Sequence, residues 1–381
     1  MKIGIDIRMI GKKRTGDEAV FFNLVKNLAE VDKSNQYFLF TDRNPKEDHD
    51  LKDEIRKLQL PNNFQIIFIN SPNRFWWNLW ALPDYLRKNP LDIFHIQYIA
   101  PFWLPKKVKM VLTIHDISFN FFPQFIKKSD LFFLKMLIPR SLRMAARIIA
   151  VSEFTKKEIK KYYNISAEKI AVVHNGVDFE LFDKYIDQNK LAEIRKKYSL
   201  PEKFLLYIGT LQPRKNLPAL IQAMHILQEK YNLEDIKFVI AGNREAHNFD
   251  PEIDEAIEKY GLDKSVIFPG WIDEEDKPAI YKLAQCFVFP SLYEGFGIPI
   301  IEAMSAGTPV ISSNSSCLPE IGKTGVIFAD PKKPEEFAKR IHDILTDENL
   351  KESLIKKGKE TAKNYTWQKN SEKTLGVYES L

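Results

Sequence analysis

Short apolar runs alternate with amphipathic stretches along the chain. Lys2–Ile7, Tyr37–Thr41, Phe64–Ile69, Ile93–Gln97, Val108–Ile114, Ile148–Val151 and Ala171–His174 read as strands. Several are apolar without alternation, as expected of strands buried on both faces of a parallel sheet. Ala19–Leu28 has helical spacing, and helical stretches between the runs supply the crossovers. A second series follows the charged, helix-prone stretch Asp187–Leu200. Its strands are Phe204–Ile208, Lys237–Ala241, Val266–Phe268, Phe287–Pro290, Val310–Ser312 and Val326–Phe328. Its helices lie near Leu217–Lys230, Glu252–Tyr260, Pro278–Ala284, Pro299–Ala306 and Pro334–Leu345. The pattern predicts an α/β protein of two doubly wound domains, residues 1–185 and 186–364. The polar helical tail carries Trp367 and Tyr378 as apolar anchors, so 365–381 is expected to return to the first domain.

Composition narrows the function. The chain has 381 residues and 15 glycines, none between Gly16 and Gly176. No G-x-G-x-x-G and no G-x-x-x-x-G-K-[ST] occurs, which excludes the usual dinucleotide fingerprint and the ordinary P-loop. The net charge of +5 is too mild to indicate nucleic acid. The excess is uneven: Lys127–Lys161 holds ten Lys/Arg against three Asp/Glu. That stretch is either a solvated helical surface or a patch for an anionic substrate or lipid. Cys286 and Cys317 form no C-x-x-C pair, and no His pair has ligand spacing, so no disulfide framework and no metal site are expected. The N-terminus reads as a strand rather than a leader, and no apolar run is long enough to span a membrane. These features suggest a cytoplasmic protein.

Ligands of open α/β sheets bind beyond the carboxyl ends of the strands. Four segments there carry candidate chemistry. In Phe287–Val310 a strand gives way to a loop with Glu294, Gly295 and Gly297, then to a helix with Pro299 and Glu302 in its first turn. Glycines beside a helix N-terminus let backbone N–H groups approach an anion such as a phosphate. The two carboxylates could bind hydroxyls on either side of it, or serve only as a loop cap and a dipole complement. In Leu206–Leu217, Gly209 ends a strand, and Arg214 and Lys215 precede a helix N-terminus. Two cations there are unfavourable unless an anion such as a diphosphate binds; the alternative is a solvated basic turn. His115 and Asp116 end the strand Met110–Ile114, where His115 could bond a sugar hydroxyl or serve a purely structural role. Gly16, in Arg14-Thr15-Gly16-Asp17-Glu18, could bring backbone to a ligand. Its acidic neighbours suit either capping or a polyol.

Together these residues resemble the family 4 glycosyltransferases, which have the GT-B fold of two Rossmann-like domains facing a cleft. The resemblance rests on Glu294…Glu302 in E-G-F-G-I-P-I-I-E, a match to the family's E-x7-E signature, and runs nearly end to end. It includes Gly4–Arg8, Thr113–Asp116, Ala150–Thr155, His174–Asp178, Tyr207–Asn216, Ala306–Pro309 and Leu318–Glu320. The bacterial mannosyltransferase-like branch is most similar. The resemblance implies a nucleotide-diphosphate-sugar donor, transfer with retention of configuration, no metal or other cofactor, and a C-terminal helix that crosses back to the first domain. It implies that Arg214 and Lys215 hold the diphosphate and Glu302 the ribose hydroxyls. Glu294 with the backbone of Phe296, Gly297 and Ile298 would hold the donor sugar and distal phosphate, and His115 would contact the hexose. Two positions depart from the family. Many relatives read T-G-x-G-R-Y where this chain has Thr15-Gly16-Asp17-Glu18-Ala19-Val20. Thr210 follows Gly209 where many carry arginine, leaving the arginine role to Arg214.

The first domain is expected to select a glycan or lipid-linked acceptor. Trp76 and Trp80, four apart in Phe75–Trp80, are expected in the core, though aromatic rings also stack on sugars. Phe119–Leu137 is likewise expected to pack inward, with peripheral contact at an anionic membrane as the alternative. The donor guess is GDP-mannose, then UDP-glucose. A sugar-nucleotide epimerase, a phosphorylase or a non-catalytic nucleotide-sugar binder are the competing classes.

Overall fold

The computed structural model describes residues 1–12, 16–246 and 248–381, so Arg14 and Thr15 of the first loop lie outside the described residues. The chain forms two compact units. The first comprises Met1–Phe121, Lys127–Gly176 and Trp367–Leu381, and the second Phe122–Ile126 and Val177–Thr366.

The first unit is built on strands β1 (Lys2–Asp6), β2 (Gln36–Thr41), β3 (Phe64–Phe68), β4 (Ile93–Gln97), β5 (Lys109–Ile114), β6 (Arg147–Ala150) and β7 (Ile170–Val172). They form a sheet in the order β3-β2-β1-β4-β5-β6-β7, every pair parallel. The second unit holds β8 (Phe204–Ile208), β9 (Lys237–Ala241), β10 (Val266–Ile267), β11 (Cys286–Phe289), β12 (Val310–Ser313) and β13 (Val326–Ala329). Its order is β10-β9-β8-β11-β12-β13, again parallel throughout. Unalternated apolar runs explain this: all residues of β8 and β11 are buried, which requires helices on both faces. Each sheet reverses its winding once, between β1 and β4 and between β8 and β11. Those switch points are where such sheets open to a ligand.

The tail divides into helices Glu348–Ala362 and Trp367–Glu379. The second joins the first unit. Tyr378 is fully buried, and its hydroxyl lies 2.6 Å from His95 Nδ1, while His95 Nε2 lies 2.7 Å from the Thr113 hydroxyl. Asn370 donates to the His174 carbonyl at 2.8 Å. The first unit gives way at Gly176, ahead of the 185/186 junction read from the sequence. Helix Phe179–Asp183 packs on helix Ile298–Ala306 of the second unit, and Val177 bridges Thr366 there.

Two expectations about packing fail. Trp76 and Trp80 are 44% and 58% exposed, and Trp77 is the buried indole. A π-helical turn over Trp77–Ala81 widens the spiral. Arg8, whose guanidinium lies 3.5 Å over the Trp77 ring, fixes that side chain inward. Within Phe119–Leu137, Phe119 is buried but Phe121, Phe125, Phe132, Phe133 and Met136 are exposed. Helix Lys128–Met144 buries only Ile138, Ser141 and Leu142, near its C-terminal end, so its first half has no core to face.

Burial, with a further push from His115, drives the His95 imidazole down to about 3. The unfolded chain therefore takes up a proton near pH 6.5 that the folded chain refuses, so stability falls as pH drops through the window from about 6.5 to 3. Denaturant unfolding of wild type and His95→Gln between pH 6 and 5 should differ in slope by about 1.4 kcal/mol per pH unit. Parallel pH profiles would remove His95 from this role.

Candidate active site

The second unit gathers its candidate chemistry at the β8/β11 switch point. After β8, Gly209 leads through Thr210–Gln212 into a tight turn, Pro213–Lys215, before helix Leu217–Tyr231. After β11, the loop Pro290–Gly297 leads into helix Ile298–Ala306. The two loops meet through charge. Lys215 Nζ bonds Glu294 Oε1, Arg214 Nη1 lies 3.3 Å from Glu294 Oε2, and the same Nη1 donates to the Tyr293 carbonyl at 2.9 Å. Lys215 and Glu294 are both more than nine-tenths buried. Lys215 is thus an interior cation, against the simpler reading of this turn as a solvated basic loop. Burial pushes the Glu294 carboxyl up, but Lys215 and Arg214 outweigh it and hold the group below the usual carboxylate range. The Glu294 N–H donates to Ser316 Oγ at 3.0 Å, and Cys317 Sγ donates to its carbonyl at 3.2 Å, so both sides of the loop are fastened.

Gly297 starts the following helix with φ of 90°, a left-handed conformation, and a Cβ there would meet Leu318 Cδ2 at 2.9 Å. Phe296 is buried against Tyr365, with ring centroids 5.7 Å apart. Gly209 lies equally close to its neighbour: a Cβ on Gly242 would sit 2.3 Å from the Gly209 carbonyl oxygen. The carboxyl ends of β8 and β9 are therefore in backbone contact.

Glu302 departs from its expected place. The helix begins at Ile298, so Glu302 lies beyond the first turn and does not complement the dipole from there. It forms a separate buried cluster in which the Tyr281 hydroxyl donates to Oε2 at 2.9 Å and Lys277 Nζ lies 3.7 Å from Oε1. Burial raises the Glu302 carboxyl, with Lys277 opposing. Burial lowers Lys277, but Glu302 and Glu274 bring it above its ordinary range. Neither Tyr281 nor Lys277 was singled out in the sequence. Both belong to the neighbouring helix Lys277–Leu283, and only its packing on helix Ile298–Ala306 brings them to Glu302.

The first unit places His115 immediately after β5. Its Nε2 lies 2.7 Å from Gln97 Oε1 at the end of β4, and its ring lies 5.4 Å from that of Tyr98. Gly16 has φ of 67° and precedes helix Asp17–Val31. Asp17 Oδ1 comes within 4.0 Å of His115 Nε2, so these parts of the first unit do converge. Glu18 Oε1 accepts from the Gly11 N–H at 2.6 Å, which ties the residue replacing the family's second glycine back to its own loop. Asp6 holds Arg8 by fork-like bonds, Nη2 to Oδ2 at 2.7 Å and Nε to Oδ1 at 3.0 Å.

The sequence model described as glycosyl transferases group 1 matches residues 191–361, and that of Glycosyltransferase Family 4 matches residues 15–181. The O-antigen chain mannosyltransferase B of Escherichia coli is 31% identical over 79% of this chain and 77% of its own length. The chain belongs to glycosyltransferase family 4. A second relative, the O-antigen chain mannosyltransferase RfbU of Salmonella typhimurium, is 28% identical over 63% of this chain and 62% of its own. The solved structure of Anabaena HepE in complex with UDP and glucose superposes with a TM-score of 0.77 at 17% identity, covering both chains fully. A glycosyltransferase from Rickettsia africae gives 0.76 at 20% identity over 100% of this chain and 98% of its own. The fold of this glycosyltransferase is accordingly GT-B. Among the described residues, no helix is long and apolar enough to cross a membrane, and no group of three or more His, Cys, Asp or Glu could hold a metal ion.

Removing one partner of a buried ion pair leaves a charge without compensation. Lys215→Met should lower unfolding free energy by about 3 kcal/mol, and adding Glu294→Gln should recover part of that loss. Strictly additive effects of the two substitutions in denaturant unfolding would show that the pair is not coupled.

Proposed function

We propose that this protein transfers a hexose, with retention of configuration, from a nucleotide-diphosphate sugar to a glycan or lipid-linked acceptor. The observation that carries the proposal is the joining of Arg214, Lys215 and Glu294 at the β8/β11 switch point of a family 4 chain. Mannose from GDP-mannose is the first choice of donor, because two relatives are named O-antigen chain mannosyltransferases. Glucose from UDP-glucose is the second, since HepE was solved with UDP-glucose.

Breaking the sugar–phosphate bond sends its electron pair to the diphosphate oxygen and leaves positive character on the sugar ring. Arg214, Lys215 and the N-terminus of helix Ile298–Ala306 supply the positive charge for the departing group. Glu294 holds Lys215 and Arg214 at the mouth of that helix and accepts hydrogen bonds from the donor sugar. Glu302 is the acceptor for the ribose hydroxyls. The acceptor hydroxyl attacks on the face the diphosphate leaves, and its proton passes to the departing phosphate oxygen, so no separate base is assigned. His115, with Nε2 directed to Gln97, contacts the hexose rather than abstracting a proton. Fixed cations and backbone dipoles do the work a metal does elsewhere, and the reaction is proposed to be metal-independent.

The first half of helix Lys128–Met144 is proposed to rest on an anionic membrane surface where a lipid-linked acceptor would lie. It exposes Phe132, Phe133 and Met136 beside Lys127, Lys128 and Lys135, the combination that holds a helix in the headgroup region.

A panel of nucleotide sugars, each with and without acceptor, should give nucleoside diphosphate release that depends on acceptor. An epimerase would change the sugar instead, and a binding protein would do neither. Glu294→Ala and Lys215→Ala should each lower transfer at least tenfold in folded protein, as loss of a charge-stabilising group does. Near-wild-type rates would sink the site assignment, and abolition by EDTA with rescue by Mg²⁺ would sink the metal-free mechanism. Sedimentation with anionic vesicles should weaken with added salt and with F132S/F133S; binding indifferent to both would remove the helix from the membrane.

A further inference from the structure

Two exposed indoles of the first unit stand on one turn. Trp76 and Trp80 are 44% and 58% exposed, four residues apart, on the helix that follows β3. The turn is fastened from several sides. Asn73 caps it, accepting from the N–H groups of Phe75 and Trp76 at 3.0 and 3.1 Å. Trp77 is sealed beneath Arg8. The segment following β4 clamps it further: the Phe102 N–H donates to the Asn78 carbonyl and Trp103 Nε1 to the Leu79 carbonyl, each at 3.0 Å. The ring of Trp103 then meets Trp80 edge-on at 6.3 Å, and that of Phe102 meets Phe75 at 5.5 Å. The turn that carries the two rings is thus held by backbone bonds while the rings themselves stay about half exposed, an arrangement suited to binding rather than to filling a core.

We propose that Trp76 and Trp80 form a stacking platform for a neutral sugar ring of the acceptor glycan. This rests on the glycosyltransferase reading above and adds where, and by what chemistry, the acceptor is held. Three observations favour a sugar. The platform is assembled from segments that leave the carboxyl ends of β3 and β4, the edge at which an open α/β sheet meets its ligand. An indole offers a flat apolar face to the C–H groups of a pyranose and an N–H to its hydroxyls, as an amphipathic ligand requires. The charge also divides: lysines accompany the exposed phenylalanines of helix Lys128–Met144, whereas Phe75–Ala81 contains no charged residue and is flanked by two arginines, Arg74 at its start and Arg140, which lies 5.5 Å over the Phe102 ring. A charge-free run of aromatic residues matches an uncharged sugar, and the lysine-bearing first half of helix Lys128–Met144 is left to the anionic surface.

Calorimetric titration with the soluble α-linked trisaccharides of mannose and of glucose tests this without donor or membrane. Wild type should bind at least one of them, and W76A/W80A should bind it at least roughly tenfold more weakly. W76F/W80F should restore part of the affinity, since a phenyl face remains. Circular dichroism and thermal unfolding should match wild type, because both side chains are outside the core. In transfer assays, the alanine variant should show a raised KM for acceptor with the KM for donor unaltered. Equal trisaccharide affinity in wild type and the alanine variant, or no binding by wild type, would overturn the platform. So would loss of binding to anionic vesicles with trisaccharide affinity intact, which would make the two indoles a membrane anchor. Trisaccharide binding that depends on Trp76 and Trp80, with no transfer from any nucleotide sugar, would uphold the platform and defeat the transferase reading.

Discussion

A parallel sheet covered by helices on both faces can open to a ligand only where its winding reverses, and the placement of chemistry in this protein follows from that constraint. In the second unit the reversal separates β8 from β11, and the two loops leaving those strands carry Arg214, Lys215 and Glu294. In the first unit it separates β1 from β4, whose ends carry Arg8 and Gln97, with His115 following the next strand. Residues far apart in sequence become neighbours because consecutive strands on either side of the switch run outward in opposite directions. The glycines follow the same rule. Gly209, Gly242 and Gly297 each allow a close approach of backbone beyond the end of a strand, and a Cβ at Gly242 would collide with the adjacent strand's carbonyl.

Charge in the second unit is arranged in compensated groups. A carboxylate as buried as Glu294 is tolerable only with cations in contact, and Lys215 and Arg214 provide them from the opposite loop. Glu302 and Lys277 make a second such group, completed by the Tyr281 hydroxyl. In the first group two cations, Lys215 and Arg214, meet the carboxylate of Glu294. The diphosphate proposed above would draw on the same two cations. The lysine is therefore preorganised by a residue that is itself proposed to touch the sugar, and alteration of either partner displaces the other.

Much of this was legible in the sequence, for physical reasons that differ from element to element. Buried strands announce themselves because both faces must be apolar, so Phe204–Ile208, Lys237–Ala241 and Ile93–Gln97 match to the residue. The E-G-F-G-I-P-I-I-E segment was legible because a helix start next to glycines has few other uses. The register of that helix was not: Gly297 in a left-handed conformation starts it at Ile298, and Glu302 falls past its first turn into the Tyr281 and Lys277 cluster. The orientation of Phe75–Trp80 was also hidden. A regular helical period cannot anticipate a π turn, nor an arginine just after β1 that settles which of three tryptophans goes inside. The phenylalanines before Ile138 misled for a simpler reason: composition records how apolar a helix is, not whether another layer covers it.

The tail has a consequence for how the chain is made. The first unit joins Trp367–Leu381 to Met1–Phe121 and Lys127–Gly176, and most of the second lies between them in sequence. His95, in the centre of the first sheet, bonds on one side to Tyr378, which is translated 283 residues later. Until that tyrosine leaves the ribosome, the helix face prepared for Trp367–Glu379 lies open and one nitrogen of His95 goes without its partner. The second unit has every one of its strands in hand well before then. Assembly is thus out of register with synthesis: the unit begun earlier is the one completed later.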